Sequence, residues 1–160
     1  MKNILIVGGE GYIGNIVSYR LLNKGYTIYS YDNLLYQNQQ CVLAKTIYKN
    51  YNFINGDMLD TMTIEPLINS VDAVILLAGL VGDPITKKFP KESKIINDDG
   101  VENVINICAN SNVEKLIFIS TCSNYGLIKD NQIANEEFEL NPLSLYAKSK
   151  VNAEKKILSL

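Results

Sequence analysis

The chain has 160 residues, 47% of them hydrophobic, which suits one domain of about 150 residues built around its own core. Fifteen Lys and Arg against 17 Asp and Glu leave a net charge of −2, so no electrostatic excess exists to hold a nucleic-acid backbone or an anionic membrane. The absence of His excludes Ser-His-Asp and Cys-His catalysis and His-ligated zinc, leaving proton chemistry to Tyr, Lys, Cys and carboxylates.

Met1-Lys2-Asn3-Ile4 runs straight into a strand-like segment with no apolar leader, and the longest apolar stretch, Val74 to Val81, is far short of the roughly 20 residues a bilayer demands. Asn3 to Val7 is a short apolar run ending at glycines, the pattern of a parallel strand buried on both faces. Gly11 to Lys24 reads as a helix with Ile13, Ile16, Val17, Leu21 and Leu22 on one side and Gly25 as its stop. Tyr26 to Tyr31 is a second strand, Gln37 to Lys49 a weaker helix, Phe53-Ile54 a short third strand, and Thr61 to Asn69 another helix.

Asp72 to Ala78 carries the strongest central-strand signal, Ala73-Val74-Ile75-Leu76-Leu77. After a loop with Pro84 and Pro90, a long helix is expected from Ser93 to Ala109, where Ile96, Val101, Val104, Ile105 and Cys108 recur at helical spacing. Lys115 to Ser120 gives a fifth strand, Ser123 to Asn141 a polar loop, and Leu143 to Leu158 a closing helix. Strand and helix alternate five times, which predicts an α/β fold: a doubly wound parallel sheet with helices on both faces and right-handed crossovers. Cys41, Cys108 and Cys122 are odd in number and widely spaced, which fits a reduced cytoplasmic chain without a metal site, with Cys41 and Cys108 as small buried hydrophobes.

Gly8, Gly11 and Gly14 join the first strand to the first helix. Gly8 suits a tight turn, Gly11 the close approach of a pyrophosphate to the helix start, and Gly14 close helix-on-strand packing. Asp32 ends the second strand 18 residues later, where a carboxylate accepts both ribose hydroxyls of an adenosine and repels a 2′-phosphate, favouring NAD over NADP. Tyr146 and Lys150 stand four residues apart on one helical face, an arrangement expected to lower the tyrosine pKa and make it an acid/base. Thr121, leaving the fifth strand, offers a hydroxyl that could share a substrate oxygen with Tyr146.

The glycine loop, Asp32-Asn33, Gly56-Asp57, Leu77-Ala78-Gly79, Asn97, the Ser-Thr-x-x-x-Tyr-Gly stretch from Ser120 and Tyr146-x-x-x-Lys150 resemble, in order and spacing, the extended short-chain dehydrogenase/reductase family. Its members include NAD-dependent nucleotide-sugar epimerases and dehydratases. The resemblance implies a Rossmann-like sheet in the order 3-2-1-4-5. It also implies an NAD site formed by Gly8, Gly11, Tyr12, Ile13, Gly14, Asp32, Asn33, Asp57, Met58, Leu77, Ala78, Gly79, Asn97, Tyr146 and Lys150. Asp32 and Asn33 would hold the adenosine ribose, Asp57 and Met58 the adenine edge, and Asn97 would steady the loop beside the cofactor. Thr121, Tyr146 and Lys150 match the catalytic hydroxyl, the proton-transfer tyrosine and its lysine.

Two departures from the family pattern shape the expectation. Cys122 and Ser123 stand where dehydrating members carry an Asp-Glu pair, which argues against dehydration. Family members run to about twice this length, so residues 1–160 are expected to be the NAD-binding domain alone, truncated after the Tyr-x-x-x-Lys helix, with the C-terminal nucleotide-sugar domain absent. The implied activity is hydride transfer at a sugar carbon by an epimerase or oxidoreductase, with a homodimer compatible. A non-catalytic NAD-binding module, or an inactive truncated product, stays open beside it.

Overall fold

The computed structural model describes residues 2–129 and 132–160; Met1, together with Asp130 and Asn131 of the expected polar loop, lies outside the described residues. β1 (Asn3–Val7), β2 (Thr27–Asp32), β3 (Tyr51–Asn55), β4 (Ala73–Leu76) and β5 (Lys115–Phe118) pair in parallel in the order β3-β2-β1-β4-β5, as the resemblance implied. The helices are α1 (Tyr12–Asn23), α2 (Gln39–Lys45), α3 (Thr61–Asn69), α4 (Asp83–Lys88), α5 (Pro90–Ser93), α6 (Val101–Ala109) and α7 (Leu145–Leu158). A π-helical segment, Lys94–Gly100, joins α5 to α6, and a 3-10 turn, Cys122–Tyr125, follows β5.

β1 beyond Asn3 and the whole of β4 are apolar because they sit mid-sheet and bury both faces. Leu5, Val7, Tyr31, Val74 and Leu76 share one face, packed by Ile64 and Ile68 of α3, Val104 and Ile105 of α6 and Ala153 of α7. Ile4, Ile6, Ile28, Ala73 and Ile75 form the other face, under Leu22 of α1. The strand order reverses between β1 and β4, which opens a crevice at the carboxyl ends of the strands.

Several boundaries and faces differ from expectation for identifiable reasons. α1 turns Gly14, Ser18 and Leu22 to the protein interior, a line of i, i+4, i+8 positions whose first two members are small enough for close approach. Val17 and Leu21 flank that line, and Ile13 and Ile16 are left 51% and 56% exposed. The weak helix after β2 is confined to α2, and the expected long helix from Ser93 is interrupted by the π-helical segment. α4 forms inside the expected loop because Pro84 sits in its first turn, where a missing N–H costs nothing. Pairing with β2 extends β3 to Tyr51–Asn55, whereas β5 ends at Phe118. α7 begins after Ser144, whose Oγ accepts from the Ala147 N–H.

Cys108 is buried as expected, and burial pushes its thiol up to about 11, whereas Cys41 is only half-buried and Cys122 is exposed. Among the described residues no helix is long and apolar enough to cross a membrane.

Candidate functional site

β1 delivers the chain into a turn at Gly8, whose φ of +85° favours glycine and whose N–H donates to the Tyr31 carbonyl at 2.8 Å. A Cβ on Gly8 would lie 2.6 Å from the Ala78 nitrogen, so the loop rests directly on the chain leaving β4. A Cβ on Gly14 would come within 2.3 Å of the Gly8 carbonyl oxygen; its close packing is against the loop backbone rather than the strand. Gly11 differs: a Cβ there would meet only the Gly8 oxygen, at 3.4 Å. Protein packing therefore does not demand glycine at 11, and the open space in front of it belongs to a cleft.

That cleft encloses about 620 Å³ and runs from the glycine loop past the ends of β2 and β4 to α7. Gly8, Gly11, Tyr12, Ile13 and Gly14 line one side; Asp32, Asn33, Asp57 and Met58 the end beyond β2 and β3; Leu77, Ala78 and Gly79 the wall after β4; Tyr146 and Lys150 the far side. Among the residues singled out from sequence, Thr121 and Asn97 are not on its surface. Sequence reasoning missed the loop after β2, where Leu35, Tyr36 and Asn38 complete the wall and Leu34 and Gln37 adopt φ of 55° and 54°. It also missed Ser120, which is the hydroxyl residue of β5's end that faces the cleft.

Asp32 is held rigidly. Its Oδ2 accepts the Glu10 N–H at 2.9 Å and its Oδ1 the Leu34 N–H at 2.8 Å, which leaves a further lone pair on each oxygen. Asn33 donates to Asp57 at 3.3 Å, linking the ends of β2 and β3. Tyr31 donates to the Asp57 carbonyl at 2.8 Å, and burial, then the Asp60 and Asp57 carboxylates, push its phenol up to about 12.

Asn97 acts from behind the wall. Its Oδ1 accepts the Leu80 N–H at 2.8 Å and its Nδ2 donates to the Leu80 carbonyl at 2.9 Å, a two-point clamp on the loop after β4. The π-helical segment places that side chain, consistent with the tendency of such segments to occur at functional positions.

Tyr146 and Lys150 lie one turn apart on α7. The expected lowering of the tyrosine pKa is reversed here: burial first, then the Asp83 carboxylate, raise it. Lys150 donates instead to the Ile119 carbonyl at 2.8 Å, with its Nζ 5.7 Å from the centre of the Tyr146 ring and 4.4 Å from that of Phe118. Burial lowers the Lys150 ammonium to about 8, partly offset by Glu154. The Thr121 hydroxyl accepts from the Ser123 N–H at 3.2 Å and caps the 3-10 turn.

Beneath the loop, Glu10 and Lys45 form an ion pair of 2.8 Å with both side chains 0% exposed. No local signal could have revealed it, since the partners are 35 residues apart and each stands alone among uncharged neighbours.

Comparison with known proteins agrees with this fold. The UDP-glucose 4-epimerase 2 of Oryza sativa subsp. japonica is 31% identical over 163 residues, spanning 96% of this chain and 39% of that protein. The dTDP-D-glucose 4,6-dehydratase of Dictyostelium discoideum is 32% identical over 174 residues, again 96% of this chain and 39% of that protein. The crystal structure of the Brucella ovis UDP-glucose 4-epimerase in complex with NAD superposes with a TM-score of 0.86 at 27% identity, covering 99% of this chain and 47% of that one. The chain thus spans about two-fifths of the length of these curated relatives. The model of the NAD dependent epimerase/dehydratase family matches residues 4–160, and the chain belongs to that family.

Proposed function

We propose that residues 1–160 form the NAD-binding domain of a nucleotide-sugar epimerase or oxidoreductase. One observation carries the reading: a single cleft is lined at one end by the glycine loop and Asp32, and at the other by Tyr146 and Lys150. The vacant Cβ position of Gly11 fits a pyrophosphate lying against the first turn of α1, whose N–H groups have no intrahelical partners. The two remaining Asp32 lone pairs suit a pair of ribose hydroxyls, and Leu77 to Gly79 would flank the rest of the dinucleotide.

NAD, when bound, supplies a hydride acceptor and donor. Tyr146 then handles the proton of the sugar hydroxyl, and its raised pKa means that it waits as a neutral phenol. To accept a proton it needs the Lys150 ammonium turned from the Ile119 carbonyl towards its oxygen, which favours the phenolate. Ser120 lines the cleft with Tyr146 and Lys150 and Thr121 follows it in the chain, so either hydroxyl is a candidate partner for the same substrate oxygen. Cys122 and Ser123 lack the acid and base of an elimination, which favours epimerisation or reduction over dehydration.

The test is calorimetric titration of the chain with NAD, together with an assay of the chain, and of a version extended by any native downstream sequence, against a panel of UDP- and dTDP-sugars. NAD binding, turnover confined to the extended version and its loss in Tyr146→Phe are expected, because the chain alone has little to hold a sugar carbon against the reacting face. Absence of NAD binding refutes the reading. A second reading, an NAD-binding module without catalysis, draws on the Lys150 ammonium being engaged by the Ile119 carbonyl and on Thr121 capping the 3-10 turn away from the cleft surface. NAD binding with no turnover by either version would favour it.

A further inference from the structure

A carboxylate is an unusual component of a loop that receives a diphosphate, because its charge opposes the ligand's. Glu10 stands between Gly9 and Gly11, and its side chain drops beneath the loop instead of facing the cleft. Its Oε1 accepts from Ser30 Oγ at 2.6 Å and Tyr51 Oη at 2.8 Å, and its Oε2 from Lys45 Nζ at 2.8 Å. Lys45 also donates to Asn15 Oδ1 at 2.6 Å and lies 5.6 and 5.4 Å from the centres of the Tyr19 and Tyr51 rings. The backbone of Glu10 is tied as well, its N–H to Asp32 and its carbonyl to the Asn38 side chain. One residue therefore fixes the loop, the acid at the end of β2 and the wall beyond it.

A buried ion pair is a poor source of net stability, because desolvation consumes most of the attraction. Its position suggests a different use. We propose that Lys45 is a charge-compensating positioning residue of the dinucleotide site. Its ammonium cancels the Glu10 carboxylate, so the loop keeps a side-chain anchor without repelling an anionic pyrophosphate. The inference rests on the NAD-binding reading above and extends it to a pair that does not line the cleft.

Charge compensation has a sign that a packing role lacks. Removing Lys45 exposes the pyrophosphate to an uncancelled carboxylate, which still accepts from Ser30 and Tyr51. Removing the Glu10 charge leaves no anion beneath the loop to oppose the pyrophosphate. The experiment is calorimetry in mildly alkaline buffer on the unaltered chain, Lys45→Met, Glu10→Gln and the double variant, using NAD and, as an uncharged probe of the adjoining adenosine subsite, adenosine.

Through an effective dielectric of about 20, Lys45→Met should weaken NAD about tenfold or more and leave adenosine within about twofold. Glu10→Gln should bind NAD as tightly as the unaltered chain or more so, the double variant should recover most of the affinity, and Lys45→Arg should retain it. Circular dichroism monitors folding. Should Lys45→Met not fold, the neutral double variant and Glu10→Gln decide the question, and weaker NAD binding by Glu10→Gln overturns the proposal. It is also overturned if Lys45→Met binds NAD unchanged, or loses NAD and adenosine in equal measure. An unaltered chain that fails to bind NAD removes both the function and this inference, whereas an unaltered chain that binds isolates the failure to Lys45.

Discussion

Lys150 Nζ donates to the Ile119 carbonyl at 2.8 Å, an interaction that anchors the middle of α7 to the chain leaving β5. The lysine is thereby half-buried beside the Phe118 and Tyr146 rings, and the cost of desolvating its charge lowers its pKa from 10.5 to about 8.

That depression sets a pH window for stability. Between about pH 8 and 10.5 the unfolded chain still holds the Lys150 proton that the folded chain has released, so the unfolded state binds more protons and this group's contribution to stability rises with pH. The raised thiol of Cys108 acts in the opposite sense from about pH 9, and the raised phenols of Tyr31, Tyr51 and Tyr146 do so above about 10, because the unfolded groups ionise first. Urea denaturation at pH 7.5 to 9.5 should show a slope of stability with pH that is more positive in the unaltered chain than in Lys150→Met. Equal slopes in the two proteins would remove the assigned cause.

The Asn97 clamp predicts a local effect. Asn97→Ala leaves the Leu80 N–H and carbonyl without their side-chain partners in a buried setting, which should cost about 1–3 kcal/mol. Hydrogen exchange at the Leu80 amide should accelerate more than at the amides of β1. A uniform change across the sheet would mean that Asn97 contributes only to global stability.

How much of this was legible in the sequence depends on the range of each interaction. The five strands and the glycine loop are local signals, apolar runs ended by turn residues, and β1 and β4 appear close to where those runs lie. The buried side of α1 departs from its hydrophobicity pattern because small Gly14 and Ser18, not the large Ile13 and Ile16, face inward, and such a pattern cannot register a helix drawn in by the lack of side chains. The Glu10–Lys45 pair and the Lys150–Ile119 bond join residues 35 and 31 positions apart, so no window along the chain contains either. The Tyr146 pKa was misjudged because proximity to Lys150 on a helix says nothing about where its ammonium points.

Asp32 makes a prediction about cofactor choice. Its carboxylate would face the 2′-phosphate of NADP at close range with no basic side chain adjacent in sequence, so NAD should bind more tightly. Asp32→Ala removes the ribose acceptor and also frees the Glu10 and Leu34 N–H groups, which should weaken NAD by about tenfold to a hundredfold and narrow the NAD/NADP ratio. Titration of both proteins with both cofactors measures each term. Tighter NADP binding by the unaltered chain would remove the role given to Asp32.

Gly11 and Gly14 are three residues apart in the same motif, yet substitution should separate them. At Gly11, φ is −69° and ψ 176°, extended backbone that any residue adopts, and an added Cβ makes only an ordinary contact with the Gly8 oxygen. Gly11→Val, which replaces a good N-cap residue by a poor one, should therefore cost no more than about 1 kcal/mol while its branched side chain fills the space assigned to the pyrophosphate and abolishes NAD binding. At Gly14 even a methyl group would lie 2.3 Å from the Gly8 oxygen and 2.8 Å from the Gly9 Cα, and both are backbone atoms that cannot swing aside. Gly14→Ala should force the helix away from the loop and cost about 1–3 kcal/mol or more, lowering affinity through displacement of the loop. Urea denaturation and NAD titration of the two variants give four numbers, and the expected pattern is a stable non-binder at position 11 and a destabilised protein at position 14. A Gly11→Val protein that binds NAD as before would show that the open space in front of the loop is not where the dinucleotide lies.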